Sequence, residues 1–294
     1  LDEAVMRIAA VPYACRRRSG WVEHEADMLA LLGPVEADLI VLPEYAAMDA
    51  ALMSDPPTGT AMEWRDRAAH RAPDWVAQWQ MLASRLGAYV LAGSGPCRTE
   101  AGVVNRCWLI APSGAVTHQD KLILTPYERD TLGMTGGTGL TLADTALGRI
   151  GILICYDAEF PLLARSMAKA GAQMILTPSC TDLPAGQTRV RQSARARALE
   201  NQIVTVQAPL TGAVQGCDII DVSTGRAGIF APPDHGLPPD GILAQGATDD
   251  PAPVTWDGDP RAIIAARDAA QVSNFAHWPE QSAHGDPPRI VGLT

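Results

Sequence analysis

The chain has 294 residues, 47% hydrophobic and 19% charged, a composition that supports a sizeable buried core rather than disorder. Thirty-three acidic against twenty-three basic residues leave a formal charge of −10, so no sequence-wide positive field attracts nucleic acid or an anionic membrane. No apolar stretch reaches the roughly 18 residues needed to cross a bilayer.

The start, Leu1 to Met6, is mixed and acidic, unlike a secretory signal; Met6 is the expected natural initiator, with Leu1 to Val5 a leader that contributes little. A strand is expected over Arg7 to Tyr13, then a solvated turn at Arg16-Arg17-Arg18 and an amphipathic helix near Trp21 to Leu32. Ala37 to Leu42 predicts a second, buried strand stopped by Pro43. Asp55-Pro56-Pro57 breaks the chain before a long helix able to set Trp64, Ala68, Trp75, Trp79 and Leu82 on one face. Strands follow at Ala88 to Ala92, Arg106 to Ala111 and Ala115 to His118, the last two turned by Pro112-Ser113-Gly114. Gly133 to Gly139 is glycine-rich without the Gly-Lys-Ser/Thr of a phosphate loop and reads as a flexible connection.

Gly151 to Ile154 is a short apolar run that predicts a buried strand, with Asp157 and Glu159 marking its end. Pro161 opens a helix with Leu163, Met167 and Ala170 on one face, stopped by Gly171. The order then repeats as strand Gln173 to Thr177, helix Arg189 to Asn201 and strand Ile203 to Gln207. Pro232 to Pro253 reads as loop and hairpin, and the tail after Pro260 as one helical piece with an irregular ending that either packs on a partner subunit or is disordered. This alternation is that of an α/β protein with helices covering sheets.

Cysteines 15, 97, 107, 155, 180 and 217 contain no CxxC pair and read as reduced thiols of a cytoplasmic protein; the six histidines are dispersed, so no metal site is expected. Cys155 falls at the carboxyl end of its strand, where open α/β sheets place ligands, and is either a nucleophile or a small packed hydrophobe. A free thiol is only slightly ionised at neutral pH and needs a base or a positive field. Glu44, just past the strand at Ala37 to Leu42, is either that base, partly desolvated, or a surface acid. Lys121 precedes Leu122-Ile123-Leu124 and is either functional or a snorkelling surface residue. Glu128 is a second catalytic acid or the partner of Arg129. No histidine has the context of a papain-like base. Tyr45, beside Glu44, and the loop Ser179-Cys180-Thr181-Asp182 are the candidates for lining a substrate pocket. The four arginines Arg189, Arg191, Arg195 and Arg197 read first as structural ion pairs, with carboxylate recognition by Arg189 or Arg191 as the second reading.

Three ordered motifs, DLIVLPEY with Glu44, DKLILTPYER with Lys121 and GILICYDAEFP with Cys155, together resemble the carbon–nitrogen hydrolase family, or nitrilase superfamily, from about Met6 to Pro279. The resemblance implies a four-layer α-β-β-α sandwich as one domain over 6–280 with a tail over 281–294, commonly a two-fold homodimer, and no metal or organic cofactor. It assigns Glu44 as general base, Lys121 as electrostatic stabiliser, Cys155 as nucleophile and Glu128 as the second glutamate near the triad. The backbone N–H of Tyr156 is the expected second donor to a developing oxyanion. Members that hydrolyse nitriles typically carry Cys-Trp-Glu, whereas Cys155-Tyr156-Asp157 is similar to amidase and carbamoylase branches, so the expected substrate is a small amide or N-carbamoyl compound. Nitrile hydrolysis, acyl transfer and a catalytically silent metabolite binder are the alternatives. Leu162 stands where many members have Glu, which puts the pocket rim or the dimer contact in question.

Overall fold

The computed structural model describes residues 5–53, 59–285 and 287–293; the start of the expected leader and the break at Asp55-Pro56-Pro57 lie outside them. Its strands are β1 (Met6–Ala10), β2 (Leu39–Val41), β3 (Tyr89–Thr99), β4 (Gly102–Ile110), β5 (Val116–Asp120), β6 (Leu142–Thr145), β7 (Gly148–Ile152), β8 (Met174–Ser179), β9 (Val204–Pro209), β10 (Gly228–Phe230), β11 (Ile242–Gln245) and β12 (Val254–Gly258). They form two six-stranded sheets, in the orders β12-β1-β2-β3-β4-β5 and β11-β10-β9-β8-β7-β6. Parallel pairing runs through β1, β2 and β3 in one sheet and β7, β8 and β9 in the other, with antiparallel strands outside.

Strand side chains alternate between faces, and in the central strands β2, β8 and β9 both faces are buried. Ile8, Leu39, Val41 and Leu91 of the first sheet pack against Ile152, Met174, Leu176 and Val206 of the second, forming the inter-sheet core. The intervening residues Ala9, Ile40 and Val90 face outward to helices α1 (Trp21–Leu32), α2 (Met48–Leu52) and α3 (Ala61–Leu86). From α3, Trp64, Trp75, Trp79 and Leu82 are fully buried on that face, as their spacing predicts. On the far side, Ile175 and Ile203 pack against Ala164 and Met167 of α4 (Pro161–Lys169), while Phe230 meets Ala194 and Ala198 of α5 (Pro184–Asn201). The result is the four-layer α-β-β-α sandwich.

Three departures from the sequence reading have physical causes. The strand expected to stop at Ala92 continues to Thr99, through Gly93-Ser94-Gly95-Pro96, residues that read as punctuation. A register shift between Leu91 and Ser94 marks a bulge, and Gly93 sits there with φ +73°. A Cβ on Gly93 would lie 2.3 Å from the Pro43 carbonyl oxygen and 2.7 Å from the Ala46 Cβ, so the loop that follows β2 packs directly on the bulge. The second departure is α5, which begins at Pro184 rather than Arg189, because proline fits the first turn of a helix. The third is the tail. It packs on its own chain, with Arg165 of α4 4.4 Å above the Phe275 ring and 4.9 Å above that of Trp278, and bonded to the Phe275 carbonyl at 2.7 Å.

Gly93→Ala is expected to lower stability by more than about 1 kcal/mol, since both the positive φ and the contact with Pro43 oppose a side chain. Urea unfolding measures this, and an unchanged midpoint would contradict the close approach.

Candidate active site

Four loops converge where strands of the two sheets end. Glu44 follows β2, Lys121 immediately follows β5, Cys155 lies three residues past β7, and Cys180 directly follows β8. Lys121 Nζ is 2.7 Å from Glu44 Oε1 and 2.7 Å from Glu128 Oε2, and all three residues are at most 2% exposed. Glu44 and Lys121 are therefore not surface residues, and Glu128 pairs with Lys121 rather than with Arg129. Every further contact supplies a donor to these carboxylates. Asn105 Nδ2 spans the pair, donating to Glu44 Oε1 at 3.0 Å and Glu128 Oε1 at 2.9 Å. The Cys180 N–H donates to Glu44 Oε2 at 2.9 Å, the Tyr45 hydroxyl to Glu128 Oε1 at 2.9 Å, and the Thr125 N–H to Glu128 Oε2 at 3.0 Å.

The two carboxyl groups are driven apart by these surroundings. Burial raises Glu44 above the ordinary 4.5, the nearby Glu128 charge adds to this, and Lys121 only partly offsets it. Burial acts on Glu128 too, but the charge and hydrogen bond of Lys121, with the donors Thr125 and Asn105, bring it below 4.5. Lys121 is raised well above 10.5, because its two carboxylates outweigh desolvation, and so stays an ammonium. The Cys155 thiol is raised well above 9.0 by burial and by Glu44, against the opposing pull of Lys121. Burial thus favours the neutral form of Glu44 and of the thiol, while the donors around Glu128 favour its charged form.

Cys155 opens a short 3₁₀ turn, Cys155–Glu159, and itself has φ +48°, a left-handed conformation that costs a residue with a side chain about 1 kcal/mol or more. Its sulfur lies 3.6 Å from the Cys180 carbonyl oxygen. Two residues on, the fully buried Asp157 carboxylate accepts the N–H of Leu122 at 3.2 Å and of Ile123 at 2.8 Å. This clamp ties the turn of the thiol, in one sheet, to the segment of Lys121, in the other. Burial holds the Asp157 carboxyl up at about 6 despite those donors.

Sequence reading missed two residues here. Asn105 was detectable only as a polar residue inside an apolar strand run, and Asp157 was read as a strand end and branch marker. Gly133 to Gly139 also differs from the flexible connection expected. The Thr135 N–H bonds Val103 O at 2.8 Å, Gly137 N–H bonds Lys121 O at 2.8 Å, and a Cβ on Gly136 would lie 2.7 Å from Leu122 O. The glycines let this strap lie against the Lys121 segment.

A cavity of about 280 Å³ opens over the cluster, lined by the buried residues Glu44, Tyr45, Lys121, Glu128 and Cys155 and by the half-buried Tyr156, Cys180 and Thr181. Ser179 does not reach it: the residue is buried in β8 and its hydroxyl bonds Ala208 O at 3.3 Å. Leu162 is 68% exposed and is also outside the lining. Of the arginines, Arg197 pairs with Glu200 at 2.9 Å, Arg195 bonds Asp240 O and Arg191 bonds Gln245; Arg189 alone reaches the cavity, 3.4 Å from Glu159. Among the described residues no group of three or more His, Cys, Asp or Glu side chains could hold a metal, and no helix is long and apolar enough to cross a membrane.

Two facing mixed sheets between helix layers are the architecture of the nitrilase superfamily. The chain belongs to the carbon-nitrogen hydrolase family, whose model matches residues 7–227. It is similar to the probable hydrolase YhcX of Bacillus subtilis, 32% identical over 234 residues that cover 79% of this chain and 44% of that protein. It is also similar to omega-amidase NIT2-B of Xenopus laevis, 26% identical over 200 residues covering 60% of this chain and 71% of that one. Saccharomyces cerevisiae Nit3, a nitrilase-superfamily structure, superposes with a TM-score of 0.69 at 20% identity over 92% of this chain and 95% of that one, a likeness of fold. The chain spans about half the length of the first curated relatives it matches.

Asp157→Ala leaves both backbone donors without their acceptor, and is expected to cost about 1–3 kcal/mol. Urea denaturation reads this; a variant as stable as the parent would mean that the clamp does not hold the two segments together.

Proposed function

We propose that the protein hydrolyses the C–N bond of a small amide or N-carbamoyl compound through a thioester on Cys155. The observation that carries this reading is one lysine ammonium held 2.7 Å from each of two buried carboxylates, in the cavity that also holds the thiol. A proton-exchanging Glu44 beside a neutral thiol is what attack by sulfur needs. The amide reading draws support from Cys155-Tyr156-Asp157 and from the omega-amidase named among the relatives.

The Cys155 sulfur attacks the carbonyl carbon as its proton passes to Glu44. Charge develops on the substrate oxygen, facing Lys121 Nζ and the Tyr156 N–H. That N–H lies in the first turn of its helix, where backbone donors have no acceptor within the helix. One such donor is worth about 3–4 kcal/mol in a water-poor site. Collapse breaks the C–N bond, and the leaving nitrogen takes the proton held on Glu44. Water then attacks the thioester while Glu44 accepts its proton, and the departing sulfur recovers that proton. Glu128 stays ionised throughout, holding Lys121 charged, with Tyr45 fixing Glu128. Cys180, through its N–H, orients Glu44, and Thr181 with Tyr45 bounds the substrate.

Ammonia release from a panel of small amides and carbamoyl compounds, with intact-mass detection of an acylated protein, tests the reading. Cys155→Ala is expected to abolish both signals, and normal turnover in that variant would sink the mechanism. Since Glu44 must be ionised to accept the proton and its carboxyl is raised, kcat/KM should fall as pH drops through a value above 4.5. With Cys155 and Lys121 both raised, no alkaline limb should appear below pH 9.0. Glu44→Gln should remove the acid limb and lower kcat about 10²–10⁴-fold.

A further inference from the structure

The outer wall of the cavity carries a charge pattern that the chemistry at its inner end does not require. Among the described residues, six carboxyl groups line the cavity against two cationic side chains, Lys121 and Arg189. Lys121 is enclosed by Glu44 and Glu128, and Arg189 has Glu159 at 3.4 Å. The remaining acids, Asp182, Asp218 and Asp221, are exposed at the mouth, and among the described residues none of them forms an ion pair. Tyr127 and Tyr156 line the same cavity and add aromatic faces. Asp218 and Asp221 act on Tyr127 directly: burial first, then those two charges, push its hydroxyl up to about 12. Cys155, 5% exposed, lines the same cavity as these groups.

We propose that the mouth selects amides bearing a positively charged group, an ammonium or guanidinium, held by Asp218 and Asp221 against the Tyr127 ring while the amide reaches Cys155. The proposal rests on the hydrolase reading above and names its substrate class. Two physical effects favour it. A cleft lined by one sign of charge concentrates the opposite sign, and a cation over a tyrosine face gains further attraction in a partly desolvated site. Among the described residues, a carboxylate-bearing substrate would have only Arg189 to meet it outside the Lys121 cluster, already engaged by Glu159, with uncompensated aspartates beside it. The small volume, about 280 Å³, suits a short chain between charge and amide.

Two arms separate this inference from the reading it rests on. In the first, Cys155 is modified by 2-aminoethyl methanethiosulfonate, a cation, or by the anionic 2-sulfonatoethyl reagent; sulfur forms a mixed disulfide and methanesulfinate departs. Rates are read by mass spectrometry on the peptide containing Cys155 and normalised to a free thiol. The cationic reagent should react at least tenfold faster than the anionic one at low salt. That ratio should shrink toward one as salt rises and in the double variant Asp218→Asn, Asp221→Asn. In the second arm, kcat/KM for 5-aminopentanamide should exceed that for the monoamide of glutaric acid by tenfold or more, and the same double variant should reduce the ratio, chiefly through KM. Equal rates, or preference for the anionic member in either arm, would overturn the proposal. Turnover with the anionic amide preferred would leave the hydrolase reading standing. A cationic preference in the first arm, with Cys155→Ala as active as the parent, would remove that reading and keep the cation site.

Discussion

A lysine ammonium held between two carboxylates, all three shut away from water, is the interaction on which the rest of this structure depends. Isolated, any one of these charges would neutralise or draw water inward, because desolvating an ion in a protein interior costs several kcal/mol. Together they are balanced unequally. Lys121 meets both glutamates at 2.7 Å and Asn105 donates to both, but Glu44 adds only the Cys180 N–H, whereas Glu128 adds Tyr45 and Thr125 and lies below its ordinary value, with Glu44 above. The difference between two chemically similar side chains comes from how many donors each can reach.

The fold brings that arrangement beside a thiol from the opposite sheet. Glu44, Lys121 and Asn105 belong to the first sheet and its loops, Cys155 and Cys180 to the second. An apolar inter-sheet core sets their separation, but hydrophobic contact is non-directional and does not by itself align polar atoms. Two directional links do so. Asp157 carries the turn of Cys155 to the backbone of Leu122 and Ile123, and the Cys180 N–H anchors the carboxylate of Glu44. Strain at Cys155, with φ +48°, is held inside this frame rather than on a free loop.

What could be read from the chain follows from how local each feature is. Glu44 and Cys155 stand at the ends of short aliphatic runs, and such runs ending in polar residues mark strand exits without reference to anything distant. The α3 tryptophans were equally legible from helical spacing. Asn105 and Asp157 were not, because each has meaning only through a partner brought near by tertiary folding. Ser179 shows the converse error. Pro178 looks like the end of a strand, yet the parallel ladder pairs Pro178 with Ala208 and Ser179 with Pro209, which keeps Ser179 inside the sheet. Cys180, one residue later, is the one that turns to Glu44. The strand expected over Ala88 to Ala92 fell short for a related reason, since a glycine such as Gly93 that ends a strand and one that admits a neighbouring backbone look alike in sequence.

The central claim is that Lys121 and Glu128 form one electrostatic unit with Glu44, and a double-mutant cycle of Lys121→Met and Glu128→Gln in urea unfolding tests it most directly. Removing the ammonium alone leaves two buried carboxyls uncompensated, at an expected cost of about 3–5 kcal/mol. Adding Glu128→Gln removes one of those charges, so the double variant should be more stable than Lys121→Met, with a coupling of at least about 1 kcal/mol. Losses that simply add would contradict the account.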